Sequence, residues 1–372
     1  MNLKIAVLSG DGIGPEVILQ AKKALYAIGV IYDHEFVFED ALIGAVAIDK
    51  TGSALPEQTL NLCLNTDAVL FGAIGDPKYD NNPDAKVRPE QGLLRLRKEL
   101  GLFANIRPIK PYAALLDASP LKKEIIEGAD FTIFRELTGG SYFGEKKLNE
   151  SGTVASDLCE YSEEEITRIA HLAFQSAQNR RKKVTMVDKA NVLETSRLWR
   201  RVVKTVSESY PEVALDFLFV DNAAMQIILN PRQFDVILTE NLFGDILSDE
   251  ASVITGSIGL LASASLGTTN ALFEPIHGSY PQAKGKNIAN PVACILSAAM
   301  LLEHFGLHEE AKKIYDGVEI AIGYGVVTTD LNPDSKYGTN EIGEFISNFI
   351  LSKDDLMYFN SSNVTIGQST IV

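Results

Sequence analysis

Apolar and polar positions along this chain alternate between two rhythms: short apolar runs of strand length and longer stretches with helical spacing. Residues 3–8 are apolar and β-rich and end in Gly10-Asp11-Gly12-Ile13-Gly14-Pro15-Glu16, where Pro15 suits the first turn of a helix running towards residue 28. A strand-like segment at 35–38, a helix opened by Pro56 and a buried-strand run at 68–71 closing on Gly72 and Gly75 follow. Strand and helix in alternation predict an α/β sheet. The polar stretch 76–89 reads as a long loop, a kind that usually carries function or disorder, and it leads into helical residues 90–100.

After Gly101 the texture changes. Residues 103–108 look extended, 130–134 read as a strand, and Gly139-Gly140-Ser141-Tyr142-Phe143-Gly144 invites a ribbon, so a boundary falls near residue 102. Residues 162–181 have helical periodicity with acidic residues early and basic ones late, as the helix dipole favours. Strands at 183–187, 214–220 and 234–239 flank a helix at 193–209, and the last strand leads into a helix holding Asp245 and Asp249. From Gly256 small residues crowd the chain until a helix at 292–304, and beyond Lys353 the sequence is polar and weakly patterned.

Composition narrows the class. A length of 372 residues suits about two domains, and 46% hydrophobic against 22% charged residues excludes a chain unable to collapse. The net charge of −15 offers no basic face for nucleic acid or anionic lipid. No apolar stretch reaches the roughly 20 residues that span a bilayer, and the N-terminal apolar run is short for a signal peptide. Cys63, Cys159 and Cys294 are few and scattered, so a cytoplasmic, reducing compartment is expected, with neither membrane nor nucleic acid as partner.

Four constellations carry chemistry. The Gly10–Gly14 run follows a strand and precedes a helix, but it spaces as GxGxG, so a tight structural turn is favoured over a dinucleotide fingerprint. Asp245 and Asp249 lie four apart on one helical face with no Lys or Arg within a turn. Their mutual repulsion would be relieved by a hard divalent cation, although an exposed acidic face is the plainer alternative. Arg97, Arg107 and Arg135 end elements beside glycine-rich turns and lean towards an anionic substrate, where single arginines are more often surface ion pairs. Lys189 ends a buried strand in Asp188-Lys189-Ala190-Asn191, as a base or as the partner of a neighbouring acid.

Together, Gly10-Asp11-Gly12-Ile13-Gly14-Pro15-Glu16, Arg135-Glu136-Leu137-Thr138-Gly139-Gly140, Asp188-Lys189-Ala190-Asn191, residues 241–249 and Gly285-Lys286-Asn287-Ile288-Ala289-Asn290-Pro291 resemble the β-decarboxylating dehydrogenases. The resemblance runs in order from the N-terminus to about residue 350. It implies a two-domain isopropylmalate/isocitrate dehydrogenase-like α/β fold, open mixed sheets flanked by helices and not a Rossmann fold. Residues 1–102 plus 256–353 would form the cofactor domain, 103–255 the dimerisation and substrate/metal domain with an intersubunit arm, and 354–372 a tail.

The resemblance also implies a site. Arg97, Arg107 and Arg135 would grip two malate carboxylates, while Asp221, Asp245 and Asp249 would hold Mg²⁺ or Mn²⁺, which chelates the substrate. Lys189 would take the C2 hydroxyl proton as hydride passes to NAD, and Tyr142 would protonate C3 after CO₂ leaves. Ile13, Ile74, Glu90, Glu274, His277, Gly278, Ser279, Gln282 and Asn290 would contact the cofactor. Tyr280-Pro281-Gln282-Ala283 stands where the family usually reads Ala-Pro-Asp-Ile. Gln282 keeps a hydrogen-bond acceptor for the adenosine 2′-hydroxyl but loses the charge that repels a 2′-phosphate, so NAD is preferred over NADP by a narrower margin. Leu93, with Leu94 beside it, lies one turn before Arg97, where leucine favours an isopropyl substituent on C3, unless Leu93 is ordinary core. Isopropylmalate is therefore the expected substrate, with isocitrate, homoisocitrate, tartrate or D-malate as the alternative. Family members are homodimers with shared sites; here Lys189 and Asp221 would enter the partner's site.

Overall fold

The architecture is that of a computed structural model, which describes residues 1–80, 82 and 85–352. The proposed tail 354–372 and part of the 76–89 loop lie outside the described residues. Among the described residues twelve strands form: β1 (Asn2–Gly10), β2 (Glu35–Asp40), β3 (Ala68–Ala73), β4 (Ala104–Ile109), β5 (Phe131–Glu136), β6 (Lys146–Leu148), β7 (Ala155–Asp157), β8 (Lys183–Asp188), β9 (Ala214–Phe219), β10 (Val236–Thr239), β11 (Ala262–Leu266) and β12 (Ala271–Pro275). Ten of them make one sheet in the order β2-β1-β3-β12-β11-β4-β5-β10-β8-β9, and β6 pairs with β7 in a separate ribbon. The mixed sheets expected from sequence are thus joined in a single large mixed sheet flanked by helices.

Its two wings are parallel and its centre is antiparallel: β12 with β11, β11 with β4, and β4 with β5. Parallel strands need crossovers, and helices such as Gly14–Tyr32 and Glu163–Gln178 supply them. The antiparallel centre is where the chain passes from one wing to the other. The apolar packing divides accordingly. Ile5, Val17, Phe273, Ile295, Ile314 and Ile346 share one cluster, whereas Phe134, Phe174, Met186, Trp199 and Val236 share another on the far wing.

Most expected elements form, with shifted ends. The helix Val292–His304 has the bounds read from the sequence. Two readings need correction. The glycine-rich segment after β5 is a 3₁₀ turn, Gly140–Tyr142, and the ribbon begins only at Lys146. Gly139 and Gly140 are pressed against the Tyr161 ring, which leaves the chain there no room to pair as a strand. The 76–89 stretch, expected to be one long loop, contains the short helix Pro77–Asp80.

The Gly10–Gly14 run is a structural turn. Gly12 sits at φ +55°, and a Cβ there would lie 1.9 Å from the Ser279 carbonyl oxygen. The turn presents the buried Asp11 carboxylate to the backbone N–H groups of Ala45, Val46 and Gly75 at 2.8, 2.9 and 3.0 Å. Ile13 N–H donates to the Ser279 carbonyl at 2.8 Å. One turn therefore ties together three loops at the end of the parallel wing. Asp11→Ala strands these donors in a buried place, so urea unfolding should register a loss of about 2–4 kcal/mol; an unchanged midpoint would contradict the assignment.

Candidate active site

Alternation along a strand puts residues two apart on one face, so β4 presents Asn105 and Arg107 on the same side. The register sets Asn105 opposite Arg135 on β5 and opposite Ser265 on β11. Both arginines are buried. Burial, and then the neighbouring Arg135 cation, push the Arg107 guanidinium down to about 10. Burial also lowers Arg135, against the pull of Asp245.

The counter-charges come from the helix Asn241–Ser252. The Glu240 carboxylate opens it by accepting from Phe243 N at 2.6 Å and Leu242 N at 3.2 Å. The buried Tyr161 hydroxyl donates to the same carboxylate at 2.9 Å and accepts from Asn241 N at 3.0 Å. Gly244 lets the helix lie on Arg135, since a Cβ there would stand 2.6 Å from Arg135 Cγ. Asp245 then bonds Arg135 Nη1 and stands 4.0 Å from Arg107, and Asp249 reaches Arg107 at 3.3 Å. This corrects the sequence argument. The two carboxylates do have cationic partners, delivered from β4 and β5, so their repulsion does not by itself demand a metal.

Tyr142 belongs to the same cluster: its hydroxyl donates to Asp245 Oδ2 at 2.6 Å. Burial, reinforced by that hydrogen bond to a carboxylate, pushes the phenol up to about 12, so it holds its proton at neutral pH. Lys189 and Asp221 do not join it. Lys189 Nζ donates to Asp221 Oδ1 at 2.8 Å, and the ammonium holds the Asp221 carboxyl below the usual range. Asp188, the other acid considered for Lys189, accepts instead from Arg200 Nε and Nη2, both at 2.9 Å. Arg97 is paired too, its Nη2 donating to Glu274 Oε1 at 2.8 Å.

The residues expected at the cofactor lie in several environments. Gly75, next to Ile74, lies beside the Glu90 carboxylate and the Ser279 hydroxyl. Ile13 is buried core, Gly278 is exposed, and Gln282 is exposed on the turn Pro281–Ala283. Asn290 is committed within the chain, donating to Asp330 at 3.2 Å and accepting from Val292 N at 3.1 Å. His277 Nε2 is buried and finds no hydrogen-bond partner among the described residues. Leu93 is buried in the cluster of Ile43, Leu55, Leu96 and Leu100, which gives weight to its core role. Asn105, Asn241, Glu240, Tyr161 and Ser248, whose hydroxyl accepts from Arg107 Nη1 at 2.5 Å, carry no local sequence signal that sets them apart.

The isocitrate/isopropylmalate dehydrogenase family model matches residues 4–346. The chain belongs to this family. A 3-isopropylmalate dehydrogenase of Bacteroides fragilis is 53% identical over 352 residues, 94% of this chain and 99% of that protein. One from Bacillus subtilis is 52% identical over 363 residues, 96% of this chain and 99% of that protein. The crystal structure of isocitrate dehydrogenase from Methylococcus capsulatus superposes with TM-score 0.84 at 34% identity, covering 94% of this chain and 100% of the other. A β-decarboxylating dehydrogenase from Thermococcus kodakarensis gives 0.77 at 36% identity, covering 96% and 100%.

The residues fit the family's bound groups to different degrees. Among the described residues of one chain no group of three His, Cys, Asp or Glu is placed to hold a metal. Asp245 and Asp249 offer hard oxygen donors on one helix face, whereas Asp221 is paired with Lys189 and does not join them within one chain. The orphaned His277 nitrogen, in a loop that meets Glu90 and Ser279 around Gly75, fits a polar ligand there. Removing Asp245 leaves the buried Arg135 guanidinium without its carboxylate partner. Unfolding in EDTA should show Asp245→Ala destabilised by about 1–3 kcal/mol, discounted for its partial exposure. Asp221→Ala, whose pair with Lys189 is solvated, should show no measurable loss; equal effects would refute the pairing.

Proposed function

We propose that this chain oxidises and decarboxylates (2R,3S)-3-isopropylmalate to 4-methyl-2-oxopentanoate and CO₂ with reduction of NAD, a step of leucine biosynthesis. The observation that carries the reading is the convergence of Arg107, Arg135, Asp245, Asp249 and Tyr142 at one end of the central strands. Identity of 52–53% to curated 3-isopropylmalate dehydrogenases, against 34% to the isocitrate dehydrogenase, favours this substrate over isocitrate.

In this reading Arg107 and Arg135 receive the substrate carboxylates, with Arg97 beside them. Asp245 and Asp249, with Asp221 of a second subunit, hold Mg²⁺ or Mn²⁺. When bound, the metal would supply Lewis acidity and NAD a hydride acceptor. Lys189 of the second subunit takes the C2 hydroxyl proton. Tyr142, which keeps its proton at neutral pH, returns one to C3 after the β-carboxylate has departed as CO₂. Residues 1–102 with 256–353 serve as the cofactor domain and 103–255 as the substrate domain.

A homodimer completes the site. Met225 and Leu229 on the helix Val220–Leu229, Leu242 and Ile246 on the helix Asn241–Ser252, and Leu148 and Val154 at the ribbon are all exposed apolar side chains. They suit burial against a second copy. The three free cysteines, two of them buried, accord with a cytoplasmic setting.

NADH formation from 3-isopropylmalate, followed at 340 nm, is expected with Mg²⁺ and should vanish in EDTA; metal-independent turnover would overturn the reading. Leu93→Ser should depress activity on isopropylmalate about tenfold to two-hundredfold more than on D-malate, and equal losses would assign Leu93 to the core alone. Lys189→Ala and Asp245→Asn, each inactive, should recover roughly a quarter of wild-type activity after subunit exchange, because a mixed dimer gathers both defects in one site. Recovery near zero with verified exchange would place both residues in the same subunit's site.

A further inference from the structure

Each arginine of the central pair is held from behind by a buried asparagine. Arg107 Nε donates to Asn105 Oδ1 at 2.7 Å, and Arg135 Nε and Nη2 both donate to Asn241 Oδ1, at 3.0 and 2.8 Å. Asn105 is 1% exposed and Asn241 0%. The amide nitrogens are committed as well, Asn105 Nδ2 to Ser265 Oγ at 3.1 Å and Asn241 Nδ2 to the Gly139 carbonyl at 3.1 Å. Flipping either amide would set its nitrogen against a guanidinium, and for Asn241 would also set the oxygen against the Gly139 carbonyl, so both oxygens are held towards the arginines.

Arg97 supplies the contrast. Its partner, Glu274, is a carboxylate, so its charge is cancelled where it sits. A neutral amide orients a guanidinium as firmly in geometry but leaves the charge uncancelled. The carboxylates that do balance Arg107 and Arg135, Asp245 and Asp249, lie on the more open side, with side chains 34% and 65% exposed. An incoming anion can take their place there, whereas it cannot reach the buried asparagines.

We propose that Asn105 and Asn241 are positioning residues that also set the charge of the site: they aim Arg107 and Arg135 through neutral acceptors, reserving both positive charges for a ligand with two carboxylates. This rests on the reaction proposed above. An aspartate at either place would keep the shape and supply a permanent internal counter-ion that competes with the substrate. At position 105 the hydrogen bonding can also be kept, because the Ser265 hydroxyl, which now donates to Glu274 Oε1 at 3.3 Å, can turn to donate to the new carboxylate.

The test compares Asn105→Asp with Asn105→Ser, which weakens the grip on Arg107 without adding charge, in the metal-loaded dimer. Wild-type turnover of 3-isopropylmalate is measured first, so that its absence counts against the proposed reaction and not against the asparagines. Given turnover, Asn105→Asp is expected to raise KM for 3-isopropylmalate by about tenfold or more while kcat falls less than about threefold and KM for NAD stays put. Asn105→Ser should raise KM clearly less. An unshifted KM in Asn105→Asp, equal shifts in the two variants, or a loss confined to kcat would overturn the proposal. Should Asn105→Asp fail to fold, Asn241→Asp places the same charge behind Arg135 and is read by the same criteria; failure of both to fold would make the asparagines structural and overturn it too.

Discussion

Two like-charged guanidinium groups, buried side by side at the junction of β4 and β5, set the terms for everything around them. A buried cation without a counter-ion costs several kcal/mol, and two adjacent ones repel each other as well. The chain answers by laying the helix Asn241–Ser252 across them, so that Asp245 and Asp249 face Arg135 and Arg107. Gly244 makes the approach close enough, the Glu240 cap fixes where the helix begins, and Tyr161 anchors that cap. The site is therefore an electrostatic balance held by the sheet on one side and a capped helix on the other.

That balance can be exchanged. The aspartates reach the arginines from the open side, and hard carboxylate oxygens are also what a small divalent cation prefers. In the proposed reaction a substrate bearing two carboxylates and a metal ion would together replace the internal pairs with external ones, each arginine gaining a substrate carboxylate and each aspartate a share of the cation. The antiparallel centre of the sheet suits this traffic. A chain of polar contacts runs from Arg97 through Glu274, Ser265 and Asn105 to Arg107, joining β12 and β11 to β4.

The sequence was most legible where function leaves local spacing behind. Asp245 and Asp249 announce a shared helix face because four residues make one turn, and Arg135 and Lys189 stand out at the ends of apolar runs. What spacing does not reveal is partnership across distance. Arg135 and Asp245 are 110 residues apart in sequence, which is why the carboxylates looked unpaired until the strands were placed. The central strands β11 and β12 were hidden for a different reason. Alanine and serine at residues 262–265 give no β-branched signal, and these positions are strands because the sheet buries them, not because their propensity asks for it. Asn105 and Asn241 escaped notice because an asparagine in a strand or at a helix start reads as ordinary polarity or capping until its arginine is in view.

Titration calorimetry of Mg²⁺ in the presence and absence of 3-isopropylmalate measures the exchange directly. If the aspartates release the arginines only as the substrate carboxylates arrive, substrate should tighten Mg²⁺ binding by about tenfold or more, and Mg²⁺ should tighten substrate binding by the same factor. Mg²⁺ affinity that is the same with and without substrate would contradict it, because the arginine–aspartate pairs would then have no part in recognising either ligand.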